Sequence, residues 1–245
     1  MFMQYWSLTD PGVARTQNQD TCQIEALDKN TLLCVVCDGM GGAKSGNVAS
    51  TLAADVFTQE VKRSWTGDTD PDRLEQMLSA AVKLANFTVY DQAQQFEDFN
   101  GMGTTLVALL IQGKKATVVN VGDSRAYLVD GNGISQITTD HSLVQMMISR
   151  GELTQEKAKH YPGKNLITRA IGTEPQVFCD IFHRKVDKGA SFLLCTDGLS
   201  NLLDDQEILF EVVYGQDKAQ CCERLLDIAK KRGAPDNVTC VLVSL

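Results

Sequence analysis

Two long helical patterns follow one another directly in this chain, roughly Gly46 to Trp65 and Pro71 to Phe96, with no strand-like run between them. A doubly wound parallel fold needs strand and helix to alternate one by one, because each parallel strand is reached through a crossover. The rest of the chain breaks that alternation too. Strand-like runs fall near 3–8, 20–27 and 31–37 before the helix pair, and near 104–112, 115–121, 124–129 and 133–138 after it. Two short helical patterns follow at 142–150 and 154–159, then runs at 177–184 and 190–196. A second helix pair, 204–214 and 216–232, precedes a last run at 238–244. Runs at hairpin spacing, with helices in pairs, predict an α+β chain of antiparallel sheets covered by helix pairs.

Local punctuation supports these elements. Asp70-Pro71 reads as an N-cap and first helical residue. Val48, Leu52, Ala53, Val56 and Val61 lie near one face of the first helix. Lys230, Lys231 and Arg232 fill the last turn of the final helix, before Gly233. Asp130-Gly-Asn-Gly133 and Asp28-Lys-Asn30 mark tight turns. The stretch 151–176 has few regularly spaced apolar residues and lies between sheet segments, so residues of about 142–176 are read as a small flap segment. With no repeat, low-complexity tract or linker, residues 1–245 are read as a single domain.

Composition narrows the function. With 43% hydrophobic and 22% charged residues, the chain can bury a sizeable core. Its formal net charge of −8 argues against nucleic acid or an anionic membrane as partner, since either needs a basic face. Apolar runs such as LVALLI have strand length, not membrane length, so no membrane segment is expected. MFMQYWSLTDPG shows neither a basic n-region nor an apolar h-region, and the expected setting is cytoplasmic. Eight cysteines fit that setting. Cys34, Cys37, Cys179, Cys195 and Cys240 sit inside apolar runs, where free cysteine behaves as a small hydrophobe. Cys34 and Cys37 spell CxxC, but on a strand they face opposite sides, and Cys221 and Cys222 do not share a helix face.

Five aspartates stand where strand-like runs stop or start: Asp20 before TCQIEAL, Asp38 after TLLCVVC, Asp123 after KKATVVNVG, Asp197 after ASFLLCT and Asp236 before NVTCVLVSL. Strands deliver such side chains to a sheet edge, so carboxylates distant in sequence can converge. Converging carboxylates repel unless cations neutralise them, and an all-oxygen set selects Mg²⁺ or Mn²⁺ over zinc. Aspartate is also a common turn residue, so any one of the five says little alone.

In order, the punctuated segments read TDPGVARTQNQD (9–20), VVCDGMGG (35–42), GMGTTLVALL (101–110), VVNVGDSRAYL (118–128), TDHSLVQMMISRGELT (139–154), HYPGKNLITRAIG (160–172), LLCTDGLSNLL (193–203) and APDNVTCVLV (234–243). This series resembles the metal-dependent protein phosphatases of the PPM (type 2C) family, in their bacterial Ser/Thr branch, over essentially the whole chain. Each segment alone is weak; the ordered set is specific. The resemblance implies a four-layer α-β-β-α sandwich, two antiparallel sheets flanked by helix pairs. It implies a Mn²⁺ or Mg²⁺ centre of two tight ions that hydrolyses phosphoserine and phosphothreonine in proteins through a metal-bound hydroxide. Asp38 would bridge both ions, the carbonyl of Gly39 would bind the second, and Asp197 and Asp236 would complete the first. Asp20 would act through water, Asn237 would orient a bound water, and Asp123 with Asp197 would hold a third, weaker ion. Arg15 would grip the phosphate, as a guanidinium offers a bidentate fork to a dianion. Phosphorylated proteins, and a Ser/Thr kinase whose work the enzyme opposes, are the implied partners.

Departures and rival readings stand beside this. Ala43 occupies a position where many relatives have histidine, Asn47 one where many have glutamate, and Gln19 one where NED is common. Arg15 read without the resemblance pairs with Asp10 or Asp20. His141 reads as a cap for the helix starting near Ser142, His160 and His183 as surface or flap residues. Asp204 and Asp205 read as a helix start, Asp180 and Asp187 as turn or strand-edge acids. A silent relative that binds phosphoproteins or scaffolds a signalling complex, and a two-metal hydrolase of small phosphoesters or nucleic acid, the latter disfavoured by the acidic balance, are the alternative functions.

Overall fold

The chain runs through β1 (Gln4–Asp10), β2 (Asp20–Asp28), β3 (Thr31–Met40), α1 (Gly46–Ser64), α2 (Pro71–Gln95), β4 (Gly103–Thr104), β5 (Leu106–Gln112), β6 (Lys115–Val121), β7 (Arg125–Asp130) and β8 (Gly133–Gln136). It continues through α3 (Leu143–Ser149), α4 (Gln155–Ala158), β9 (Asp180–Lys185), β10 (Ser191–Cys195), α5 (Asp197–Ser200), α6 (Asp205–Tyr214), α7 (Cys221–Lys231) and β11 (Val238–Ser244). The structure is a computed structural model that describes residues 3–42, 45–67, 70–158 and 161–245. One antiparallel sheet has the order β1-β11-β10-β7-β8. The other has the order β2-β3-β5-β6-β9, with β4 added on β3.

Side-chain alternation along the strands makes the layers. Leu32, Cys34 and Val36 of β3 pack with Phe192, Leu194 and Val241 of the other sheet, so this face forms the core between the sheets. Leu33, Val35 and Cys37 point the other way, into a core shared with α1 and α2. The second sheet repeats the scheme: Leu193, Cys240 and Leu242 pack against Ile208 of α6 and Leu225 of α7. The four-layer expectation therefore holds. Small residues on α1, Ala49, Ala53 and Ala54, are fully buried beside Phe57. Truncating Phe57 to alanine would open a cavity costing about 3–5 kcal/mol.

Helix starts follow their sequence signals. Asp70 accepts from the Arg73 N–H at 3.1 Å ahead of Pro71, and Asp204 and Glu207 form a reciprocal capping box at α6. Several details differ from expectation, among them the end of β3, which runs on through Asp38 to Met40. The run 104–112 is divided, because Thr104 pairs with Ile171 while Thr105 turns to bond Asp38. The last helix begins at Cys221, after a 3₁₀ turn at Lys218–Gln220 capped by Asp217. β9 begins at Asp180, not 177. The one-turn helix α5 opens at Asp197, where only a strand end was expected; four residues are too few to show a helical period. Within the flap segment α3 and α4 form as expected, and the bridges Ser142–Ile167 and Thr104–Ile171 pin its base to the sheet. Cys34 and Cys37 lie in different cores and all eight cysteines are free. Among the described residues no helix is long and apolar enough to cross a membrane.

Candidate metal centre

Strand registers bring the five aspartates to one end of both sheets. Asp20 opens β2 directly across from Asp38 on β3. Asp38 is gripped through its backbone: its N–H donates to Thr105 Oγ1 at 2.9 Å, and its carbonyl accepts from the Thr105 N–H at 2.9 Å and from Thr104 Oγ1 at 2.8 Å. Leu106 pairs with Val121, so the Gly122–Asp123 corner after β6 lies beside Thr105. In the other sheet Arg125, Cys195 and Cys240 form one row, which carries Asp123, Asp197 and Asp236 to neighbouring strand ends.

The glycines after Asp38 and Asp197 have a packing reason. A Cβ on Gly39 would stand 2.0 Å from the Gly46 carbonyl oxygen, and one on Gly198 would stand 1.9 Å from that of Asn237. Backbone packs on backbone at both places, which anchors each aspartate to the element behind it.

The electrostatics of the cluster are those of crowded acids. Burial pushes Asp20 up to about 7 against hydrogen bonds from Thr239 and Thr196, and the charges of Asp197 and Asp236 add to the rise. Burial also holds Asp38 well above the usual carboxylate range, with repulsion from Asp20, Asp197, Asp123 and Asp236. Asp123 is pushed up to about 7 by burial, then by Asp197 and Asp140, against its backbone bond and Arg125. Asp197 is raised by burial and by Asp236, with opposing help from Asp38 and Asn201. Asp20 Oδ2 accepts from Thr196 Oγ1 at 2.9 Å, while its buried Oδ1 has no hydrogen-bond partner. Among the described residues no three His, Cys, Asp or Glu side chains are drawn together closely enough to form a ready-made metal-holding group. The cluster is an open cup of oxygen donors that repel one another, and a set of that kind fits hard divalent cations.

Two candidates beside the cup make contacts the sequence did not suggest. Arg15 Nη2 donates to Asp236 Oδ2 at 3.0 Å, and both side chains are about half exposed. Asp10 instead takes Lys230 at 2.7 Å, and Asp20 takes Thr196, so neither pairing expected for Arg15 forms. The Asn237 carboxamide holds the loop that carries Arg15. Its Nδ2 donates to the carbonyls of Pro11 at 3.0 Å and Gln17 at 2.9 Å, and its Oδ1 accepts from the Gln19 N–H at 2.9 Å. Both amide donors are thereby committed, which leaves only an oxygen lone pair for any bound water. Gln19 lies in that loop, and its carbonyl accepts from Ser50 Oγ at 2.6 Å. Asn47 is exposed on α1. Ala43 and His160 lie outside the described residues.

A second polar cluster behind Asp123 escaped the sequence reading. His141 does not cap α3; Ser142 does, accepting from the Gln145 N–H at 3.3 Å. The His141 ring is buried, with Nδ1 3.0 Å from the Gly122 nitrogen and Nε2 3.2 Å from Asp180 Oδ2. Asp180 is thus no simple strand-edge acid: burial raises it, but bonds from Arg169 and His141 outweigh this and hold it below the usual range. Nearby, Arg125 grips Asp140 through Nε at 3.0 Å and Nη2 at 2.6 Å. His183 is held on β9 between Thr117 at 3.1 Å and Glu75 at 2.8 Å. A histidine flanked by Asp140 and Ser142 looks like a helix start in sequence, and nothing local announces partners 19 and 39 residues away.

A two-sheet sandwich with an acidic cup at its common edge defines a class of metal-assisted hydrolase scaffolds, and comparison with known proteins narrows it. The family model described as protein phosphatase 2C matches residues 13–242. The serine/threonine phosphatase stp of Listeria welshimeri is 34% identical over 235 residues, which is 96% of this chain and 93% of that protein. The structure of the S. agalactiae serine/threonine phosphatase superposes with a TM-score of 0.93 at 30% identity and covers 100% of both chains. The catalytic domain of the serine/threonine protein phosphatase PstP, in complex with two manganese ions, superposes with a TM-score of 0.85 at 34% identity, covering 99% of this chain and 97% of that one. This chain belongs to the protein phosphatase 2C family.

Proposed function

We propose that this chain is a metal-dependent protein serine/threonine phosphatase and that the acidic cup is its active site. The observation that carries the reading is the convergence of Asp20, Asp38, Asp123, Asp197 and Asp236 at one sheet end, with Asp20 Oδ1 buried and unpartnered. Divalent ions bound there would lower the pKa of a water to near neutrality and polarise the phosphoryl oxygens. Asp38, the Gly39 carbonyl, Asp197 and Asp236 would hold the two tight ions. Asp20 would support them from behind, and Asp123 with Asp197 would hold a weaker third ion. Thr104 and Thr105 keep Asp38 in place through its backbone, so its carboxylate is aimed before any ligand arrives. Arg15 is half exposed and held by one carboxylate, so it can turn from Asp236 to a phosphate dianion at small cost. Asn237 holds the loop that presents it.

The partners that suit such a site are phosphorylated proteins and a Ser/Thr kinase whose products it removes. Eight free cysteines favour a reducing, cytoplasmic setting. The core shared by the two sheets supports reading residues 1–245 as one catalytic domain, with 142–176 as its flap. The test is hydrolysis of a phosphothreonine peptide with Mn²⁺ and with chelator. Turnover that needs Mn²⁺ and is lost in Asp38→Asn supports the proposal. Binding of the peptide without turnover would make the chain a silent relative instead.

A further inference from the structure

Residues 141, 169 and 180 come from separate parts of the chain and meet directly behind the corner that carries Asp123. The His141 ring is buried and its Nδ1 lies 3.0 Å from the Gly122 nitrogen. A peptide N–H can only donate, so Nδ1 accepts, and the proton of the neutral ring sits on Nε2. That proton goes to Asp180 Oδ2 at 3.2 Å. Arg169 Nη1 lies 2.9 Å from the same ring nitrogen, but as a donor it cannot be its partner. It donates instead to Asp180 Oδ1 at 2.8 Å and to the Phe178 carbonyl at 3.1 Å. Main chain closes the knot: the His141 N–H donates to the Gly122 carbonyl at 2.9 Å, and the Thr168 N–H to the His141 carbonyl at 2.7 Å. Gly122 has φ +109°, and a Cβ there would stand 2.6 Å from the Thr105 side chain, so the corner follows a path open only to glycine. The imidazole is the partner of its N–H.

We propose that His141 is a positioning residue for the metal site: it ties the Gly122–Asp123 corner, and so the aim of the Asp123 carboxylate, to Asp180 and Arg169 at the base of the flap. This rests on the reading of Asp123 as a ligand of the weak third ion. Ligating carboxylates in metal sites are themselves held by partners behind them, and those partners set affinity. Here the partner acts through one peptide unit, and the same residue accepts from the Thr168 N–H in the segment 142–176. Corner and flap base are thereby fixed to each other.

The two ring nitrogens can be tested separately. Asparagine places an acceptor where Nδ1 stands, and glutamine a donor where Nε2 stands. Mn²⁺ titration calorimetry is run on the full chain and on His141→Asn, His141→Gln and His141→Ala, with a melting curve for each. The weak site should lose about 10- to 100-fold in affinity in His141→Gln and His141→Ala, and stay within about threefold in His141→Asn, as expected for loss or retention of a supporting bond. The tight pair should be unchanged in all. Imidazole ¹⁵N NMR of the unsubstituted chain supplies a readout free of metal and turnover: Nδ1 bare, Nε2 protonated. It decides the matter if the glutamine variant does not fold. An unchanged weak site in both His141→Gln and His141→Ala, an asparagine variant as weak as alanine, or a proton on Nδ1 would overturn the proposal. So would an unsubstituted chain that binds no third Mn²⁺. Failure of the phosphatase reading looks different: Mn²⁺ binds, but no phosphopeptide is hydrolysed.

Discussion

Asp38 and Asp180 stand at the same end of the same sheet, on β3 and β9, yet one is surrounded by carboxylates and the other by an arginine and a histidine N–H. Asp38 is raised well above the usual range, first by burial and then by four other aspartates. Asp180 feels burial too, but Arg169 and His141 bring it below its ordinary value. A protein that wanted only a stable edge would build the second kind of site everywhere. The first kind lowers the stability of the chain on its own and is repaired only by bound cations, so it belongs to function. The second supplies the rigidity on which the first depends.

Substitutions that remove one charge from each region sharpen the contrast. Asp38→Asn should cut phosphopeptide turnover by roughly a thousandfold or more, the equivalent of several kcal/mol of transition-state stabilisation. It should also raise the melting temperature of chelator-treated protein. The sign follows from its raised folded pKa: an acid of this kind loses stability as pH rises above its unfolded value of 3.8, and an amide does not. A lower melting temperature would mean that Asp38 is a structural acid.

Arg15→Ala comes next in size. Loss of a bond to a charged group costs about 1.5–3 kcal/mol, which is roughly a 10- to 150-fold rise in KM for phosphopeptide. Stability should shift by less than about 1 kcal/mol, because the pair with Asp236 is exposed. Steady-state kinetics check the first and denaturant melts the second; a fall in kcat at constant KM would move Arg15 from binding to the transition state.

Asp180→Asn should do the reverse of Asp38→Asn. It leaves Arg169 and His141 without their anion, and with Asp180 40% exposed the loss is about 1–2 kcal/mol. Urea melts measure it, and a stability equal to that of the parent would erase the distinction between the regions. The smallest effect concerns pH. Burial holds His141 below 6.5, against Asp180 and Asp140 and with Arg169. A depressed histidine contributes stability that is complete above 6.5 and declines as pH falls toward the folded pKa. Melts from pH 8 to pH 5 should therefore fall more steeply for the parent than for His141→Asn; parallel curves would mean that folding does not depress the ring's pKa.

The sequence showed the architecture and the cup because both are written in local signals. Strand alternation in TLLCVVC sets Cys34 and Cys37 on opposite faces, and the two do enter different cores. Aspartates at run ends need only the strand geometry to converge. What stayed hidden depends on partners distant in the chain. Asp236 in reach of Arg15, and Asp180 in reach of His141, are set by how loops close over the sheet ends. The resemblance implies that Asn237 orients a bound water; its bonds to the loop 11–19 are visible only in three dimensions. Gly39 was read for its approach to a metal, whereas its packing against Gly46 is visible only in three dimensions.

The central claim is that the crowded acids form a cation site. Titration calorimetry with Mn²⁺ on the intact chain, on Asp38→Asn and on Asp180→Asn tests it most directly. Two tightly bound ions in the parent and in Asp180→Asn, with that tight pair lost in Asp38→Asn, is the predicted result. An Asp38→Asn protein that titrates like the parent, or a parent with no saturable Mn²⁺ binding, would contradict it.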